Sequence, residues 1–125
     1  MATILLIEED DDARPIIRDN LYREGFDVLL AVDEASALDW LEAGGARADL
    51  VLVNLVGKTT GEAFEAARRL KQSSALDSST PVVVIAEKYG DRLEGTDVRE
   101  GEGEWVTYMA DSTQLHELLA RLTDG

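Results

Sequence analysis

The chain has 125 residues, 45% of them hydrophobic, which is enough for one domain with a real core, while its longest apolar runs, Val28 to Val32 and Pro81 to Ala86, are far shorter than the about 20 residues a membrane span needs. Its 26 acidic and 12 basic residues leave a formal charge of −14, which sets it against nucleic acid and anionic membrane surfaces. With no cysteine and a single histidine, His116, disulfide staples, thiolate catalysis and a Cys- or His-rich metal cage are excluded within one chain.

Strand and helix patterns alternate along the chain. Thr3 to Ile7 is a continuous apolar run, as a strand buried on both faces of a parallel sheet requires. No basic flank precedes Ile4 to Ile7, so it does not read as a secretory signal, and a cytoplasmic protein is expected. Asp11 or Asp12 can cap a following helix with Pro15 in its first turn, Ile17, Leu21 and Tyr22 on its apolar stripe and Gly25 at its end. Phe26 to Val32 is the second strand. Asp33 caps a helix to about Ala43, with Ala37, Leu38, Trp40 and Leu41 available for burial, and Gly44-Gly45 stops it. Leu50 to Asn54 is the third strand. Gly57 to Thr60 is a loop, and Gly61 to Gln72 is a helix with Ala63, Phe64, Ala67 and Leu70 at helical spacing.

Ser73 to Thr80 reads as a polar connection, and Pro81 to Ala86 as the fourth strand. Tyr89 to Gly103 holds four glycines and only Leu93 and Val98 as aliphatic anchors, which predicts a short or irregular helix. Trp105 to Tyr108 is the fifth strand. Asp111 or Ser112 caps a last helix striped by Leu115, Leu118, Leu119 and Leu122. Five βα units predict a single α/β domain over residues 1–125. It would be an open, doubly wound parallel sheet of five strands with five helices on its two faces.

Ile4-Leu5-Leu6-Ile7-Glu8-Glu9-Asp10-Asp11-Asp12-Ala13-Arg14 resembles the first strand and acidic turn of the receiver domain of bacterial response regulators. Asp49 to Asn54 resembles its third strand, Thr80 to Ala86 its fourth and Gly103 to Thr107 its fifth. The ordered set covers the whole chain. The resemblance implies a CheY-like, flavodoxin-like sheet of order 2-1-3-4-5. It also implies phosphoryl transfer from a histidine kinase to an Asp ending the third strand, with Mg²⁺ held by acidic residues and a Ser or Thr and a Lys reading the phosphate. Carried over position by position, the acidic pair is Glu8 and Glu9, each a methylene longer than Asp. The phosphoacceptor place holds Asn54, the hydroxyl place Ala86, and the lysine place Tyr108 followed by Met109 instead of proline. The loop before Gly61 is one residue short. The aromatic switch position survives as Trp105.

Phosphoryl transfer needs a nucleophile, a divalent cation, and donors around the equatorial oxygens. Asn54 offers a neutral amide, Ala86 no donor and Tyr108 a phenol in place of a cation. Loss of one carboxylate and one ammonium together leaves a neutral pair, and Tyr108 is placed to donate to Asn54 or Glu9. Glu8, Glu9 and Asp10 stay crowded, so like charge should raise the pKa of at least one. No cofactor is expected beyond loose Mg²⁺ binding at Glu8 and Glu9, and the acidic turn serves equally as a helix cap. Gly57 to Gly61 lacks P-loop spacing and reads as an ordinary loop. His116 reads as a surface residue, Trp40 and Phe64 as core, and Trp105 as either core or a docking surface.

The favoured function is a degenerate receiver: a non-enzymatic, phosphorylation-independent protein–protein interaction module in signal transduction. Its partner is expected on the face of the fourth helix, fifth strand and fifth helix, the face where the family also forms dimers, so a homodimer is a further option. The alternatives are a receiver phosphorylated on Asp10 or Thr59, and a small-ligand sensor using the altered pocket. Nucleic acid and membrane are not expected partners.

Overall fold

The computed structural model describes residues 2–43, 47–54, 59–72, 76–86 and 92–123. The elements in chain order are β1 (Thr3–Ile7), α1 (Ala13–Arg23), β2 (Asp27–Ala31), α2 (Glu34–Glu42), β3 (Leu50–Asn54), α3 (Thr60–Leu70), β4 (Val82–Ala86), β5 (Asp97–Gly101), β6 (Glu104–Tyr108) and α4 (Ser112–Thr123). They form one six-stranded sheet of order β2-β1-β3-β4-β6-β5. All neighbours are parallel except β5, which runs antiparallel to β6 at the edge.

Apolar runs in β1, β3 and β4 are buried on both faces, as expected for central parallel strands. Their side chains alternate between two cores. Leu5, Ile7, Val51, Val53, Val84 and Val106 join α2 and α3 on one side. Ile4, Leu6, Leu50, Leu52, Val83 and Ile85 join Leu21 of α1 and Leu115, Leu118 and Leu119 of α4 on the other. This period-2 alternation decides which side chains at the strand tips can meet.

Two caps are as expected. Asp33 accepts the Ser36 amide at 2.8 Å, and Asp111 accepts the Gln114 amide at 2.9 Å. The α1 cap is corrected: Asp12 is the N-cap residue but makes no side-chain cap. Instead Asp10 Oδ1 accepts the amides of Asp12 (2.8 Å) and Ala13 (3.3 Å), the turn that a short acidic side chain two residues upstream favours. Thr59 and Glu62 form a reciprocal capping box on α3. The Gly44-Gly45 stop and the Gly57-Lys58 and Ser73-Ser74 segments lie outside the described residues.

The fourth helix of the expected five-strand, five-helix plan is not found among the described residues, and the sheet has a sixth strand in its place. Residues 92–95 form turns, and 97–101 are strand β5 instead of an irregular fourth helix; residues 89–91 of that expectation lie outside the described set. The physical reason is the glycine spacing. Gly103 takes a φ of +70° and Gly95 one of +84°, conformations that stop a helix and suit a hairpin turn with a bulge. The register of β5 on β6 shifts between Arg99 and Gly101. Gln114 of α4 fastens the hairpin: its side-chain nitrogen donates to Asp97 (2.9 Å) and Thr107 (3.3 Å), and its oxygen accepts the Ala110 amide (2.9 Å). On the other face Arg68 of α3 grips the mostly buried Glu104 carboxylate through two bonds of 2.9 and 2.7 Å.

Three side chains differ from expectation. Trp40 is 44% exposed, because its ring lies across the β2 edge and its Nε1–H donates to the Leu30 carbonyl at 2.8 Å. Tyr22 is half exposed. His116 is only partly exposed: it sits edge-on to Phe26 at 5.9 Å, and its Nδ1 comes within 3.0 Å of Glu24 without hydrogen-bond alignment.

Candidate functional site

The carboxyl tips of β1, β3, β4 and β6 gather the residues singled out above. Asn54 pairs in register with Ile85, Ile85 with Thr107, and Ala86 with Tyr108. By strand alternation Asn54 faces the α1–α4 side. Glu8 belongs to the same side, since its amide continues the ladder by donating to the Ala31 carbonyl at 3.0 Å, one residue past Ile7.

Glu8 is fully buried. Its Oε1 accepts the Asp10 amide at 3.0 Å, whereas its Oε2 is buried with no hydrogen-bond partner among the described residues. Burial raises the carboxyl above its usual 4.5; the Asp10 amide and then the Asn54 side chain oppose this, and the Asp10 charge adds to it. The pKa of one acid in the turn is therefore raised, as expected, but desolvation leads and like charge is secondary. The Asn54 amide is close enough to favour the ionised form, yet it leaves Oε2 without a bond of normal geometry.

The rest of the acidic turn is held by Arg14. Its Nε donates to the Glu8 carbonyl at 2.9 Å, and its other nitrogen reaches the Glu9 carbonyl at 3.3 Å and the Asp11 carboxylate at 2.6 Å. Glu9 is exposed and lines the groove between α2 and α3. Among the described residues no three acidic or histidine side chains converge as an ion-binding group.

Tyr108 does not meet Asn54. It packs against the α2–α3 core cluster, the opposite face from Asn54, and the expected hydrogen bond to Asn54 or Glu9 is not among those made by the described residues. Alternation at β6 is the cause: Thr107 takes the α4 side, so Tyr108 takes the other. Ala86 does share a hollow with Asn54, of about 130 Å³ between α1 and α4, bounded also by Asn20, Met109 and Ser112. Asn54 borders a second hollow of about 560 Å³ between α2 and α3, with Ile7, Leu38 and Val53 in its wall. Trp105 is partly buried on the α4 side, with the Arg121 guanidinium 5.2 Å from its ring centre.

Residues 62, 65, 66 and 69 of α3, the α2 N-cap Asp33, and 34 and 38 of α2 also line the larger hollow; the sequence marks Asp33 only as a cap and Leu38 only for burial, and the others not at all. The i, i+3, i+4, i+7 spacing on α3 shows one face, but only the packing of α2 makes that face the side of a cavity.

No family model matches the chain. It is 29% identical over 121 residues to the uncharacterized transcriptional regulatory protein YkoG of Bacillus subtilis, covering 95% of this chain and 48% of YkoG. The chain thus spans about half the length of that curated relative. Among solved structures it is similar to the chemotaxis protein CheY4 of Vibrio cholerae, with 21% identity, a TM-score of 0.69 and 98% of each chain covered. A response regulator receiver domain protein from Clostridium thermocellum gives 18% identity and a TM-score of 0.72 over 99% of this chain and 95% of that one. The receiver domain of the sensor histidine kinase PA1611 of Pseudomonas aeruginosa, solved with a magnesium ion in its active-site cleft, gives 18% identity and 0.69 over 99% and 98%. The crossover order β2-β1-β3-β4-β6, the two-sided helical cover and these likenesses together identify the architecture as the receiver-domain fold of CheY-like response regulators.

Proposed function

We propose that this chain is a degenerate receiver that acts in signal transduction as a protein–protein interaction module independent of phosphorylation. The observation that carries this reading is Asn54 at the tip of β3, beside a buried Glu8 carboxylate and a hollow bordered by Ala86. An amide there cannot form the acyl phosphate that a carboxylate forms. The negative groups around it disfavour a phosphodonor unless a cation intervenes. A Mg²⁺ ion would have the orphaned Glu8 Oε2, Glu9 and the neutral Asn54 oxygen as ligands, a set with two charged donors, so loose binding is expected. The reading makes the chain non-enzymatic and places it in the cytoplasm. No described helix is long and apolar enough to cross a membrane.

The two other candidate acceptors have structural duties. Asp10 Oδ1 caps α1 through two amides, and Thr59 Oγ1 caps α3 by accepting the Glu62 amide at 3.1 Å. Since no described helix lies between β4 and β6, the face offered to a protein partner is the β5–β6 hairpin with Trp105 and α4, which corrects the expectation of a fourth helix there. The test is incubation with acetyl phosphate and Mg²⁺, read by intact mass and amide NMR. The expected result is no phosphoryl mass gain and an unchanged spectrum. Uptake mapped to Asp10 or Thr59, with shifts in β6 and α4, would overturn the proposal.

A further inference from the structure

The two edges of the sheet are built differently. β5 carries Asp97, Arg99 and Glu100 and breaks register at its bulge, devices that keep an edge from pairing with another chain. β2 has neither. It runs in unbroken register with β1 from Asp27 to Ala31, and Val28-Leu29-Leu30-Ala31 is apolar. The Asp27 amide donates to Ala2 and the Ala31 carbonyl accepts from Glu8, both on the β1 side. By alternation the backbone groups of Val28 and Leu30 point outward. Among the described residues only one of these groups has a partner: the Leu30 carbonyl, which accepts the Trp40 indole N–H at 2.8 Å. A carbonyl has two lone pairs, so that bond fixes the indole without closing the edge.

The side chains along this edge sort by face. Val28 and Leu30 pack, partly buried, on the α1 side. Asp27 alternates to the α2 side with Leu29 and Ala31. There Trp40 lies exposed across the edge, and Asp39 borders the same open hollow as Trp40, with Ser36 and Ala43. Asp27 and Asp39 are exposed, and neither carboxylate has a hydrogen bond or ion pair among the described residues. An added strand would meet an apolar surface on one face, and an aromatic ring with free carboxylates on the other. Arginine suits both parts of the second face, since its guanidinium stacks on an indole and pairs with a carboxylate. The charge of −14 draws in such a segment and opposes pairing with a second copy of the chain. We propose that the β2 edge takes an extended segment of a partner protein as an added strand, with apolar and arginine side chains alternating along it. Main-chain bonds to Val28 and Leu30 hold the segment, and Trp40 with Asp39 selects the arginine. This edge lies across the sheet from β5 and β6, so its occupancy is independent of the partner face proposed above.

The test is an NMR titration of the whole 125-residue protein with the peptide acetyl-Val-Arg-Val-Arg-Val-Arg-amide, read at the backbone amides and the Trp40 indole. Saturable shifts in residues 27–32 and in the indole are expected. The same peptide N-methylated at every residue keeps its charge and loses its strand donors, and should bind at least about tenfold more weakly. A peptide with citrulline for arginine keeps the donors and loses the charge, and should bind about fivefold more weakly or worse. Asp39→Asn removes an exposed carboxylate that holds nothing in the fold. It should weaken the arginine peptide about two- to fivefold and leave the citrulline peptide unchanged. Equal binding by the N-methylated or the citrulline peptide, wild-type binding by Asp39→Asn, or shifts confined to β6 and α4 would each overturn the proposal. So would concentration-dependent shifts of residues 27–32 without peptide, the mark of a second copy in the edge.

Discussion

Replacing Glu8 with glutamine should make the protein more stable at neutral pH. The wild-type side chain is fully buried, with one oxygen bonded to the Asp10 amide and the other without a partner among the described residues. A buried polar group left unsatisfied costs about 1–3 kcal/mol. Glu8 lies at the rim of the sheet, and the Asp10 amide and Asn54 both favour its charge, so the lower end, about 1 kcal/mol, is expected. Glutamine keeps the size and the acceptor for Asp10, and turns an amide nitrogen toward Asn54, whose oxygen can accept it.

The pH dependence carries a definite sign. Burial raises the folded-state pKa of Glu8 above 4.5. The folded protein therefore holds this proton to higher pH than the unfolded chain, and stability falls as pH rises through the interval between the two values. Below 4.5 both states carry a neutral side chain and the penalty disappears. Urea titrations of both proteins in chelator should show Glu8→Gln ahead by about 1 kcal/mol at neutral pH, or about 3–5 °C in Tm. The gap should close by about pH 4. A variant less stable than wild type at neutral pH, or a gap that does not change with pH, would refute the view that an unpaired buried charge sets the cost.

Asn54→Asp places a second carboxylate on the Glu8 side of the sheet. It should lower stability in chelator by about 1–2 kcal/mol and recover most of that in millimolar Mg²⁺, with a larger Mg²⁺ shift of Tm than wild type. Arg68→Ala strips the two bonds from Glu104, which is 8% exposed, and should lower stability in chemical denaturation by more than Lys71→Ala does. Gly103→Ala forces a side chain into a φ of +70° and should cost about 1 kcal/mol, with amide shifts concentrated in β5 and β6.

Most of the sheet was readable because its central strands are buried on both faces. Leu50 to Val53 and Val82 to Ala86 are unbroken apolar runs, and their strands end at Asn54 and Ala86 as the sequence predicts. The Asp33 cap and the α4 leucine stripe were equally plain, since each depends on neighbours within one helix. The failures came where a local pattern has two solutions. Glycines between Leu93 and Trp105 suggested a poor helix, yet Gly101-Glu102-Gly103 between Asp97-Val98-Arg99 and Trp105-Val106 also has the spacing of a hairpin, and pairing of Val98 with Val106 decides the matter. Thr59-x-x-Glu62 was a legible capping box that the P-loop comparison masked. Trp40 could not be placed, because its partner is a backbone carbonyl on an edge strand ten residues away.

The site shows the same limit in sharper form. Asn54 and Tyr108 look like a matched neutral replacement for an acid and a base only while they are imagined in one pocket. Alternation puts them on opposite sides of the sheet, so each substitution must be accommodated separately. Tyr108 is accommodated by packing on the α2–α3 core, where a phenol ring is better suited than an ammonium. Asn54 faces Glu8, whose carboxyl is pushed above its usual range by burial and whose Oε2 lacks a partner among the described residues. The tip of the sheet thus keeps an acidic side chain after its acceptor position has become an amide. The single change Asn54→Asp should therefore strengthen cation binding without restoring phosphoryl uptake, because Ala86 still supplies no hydroxyl and Tyr108 faces away from the acceptor.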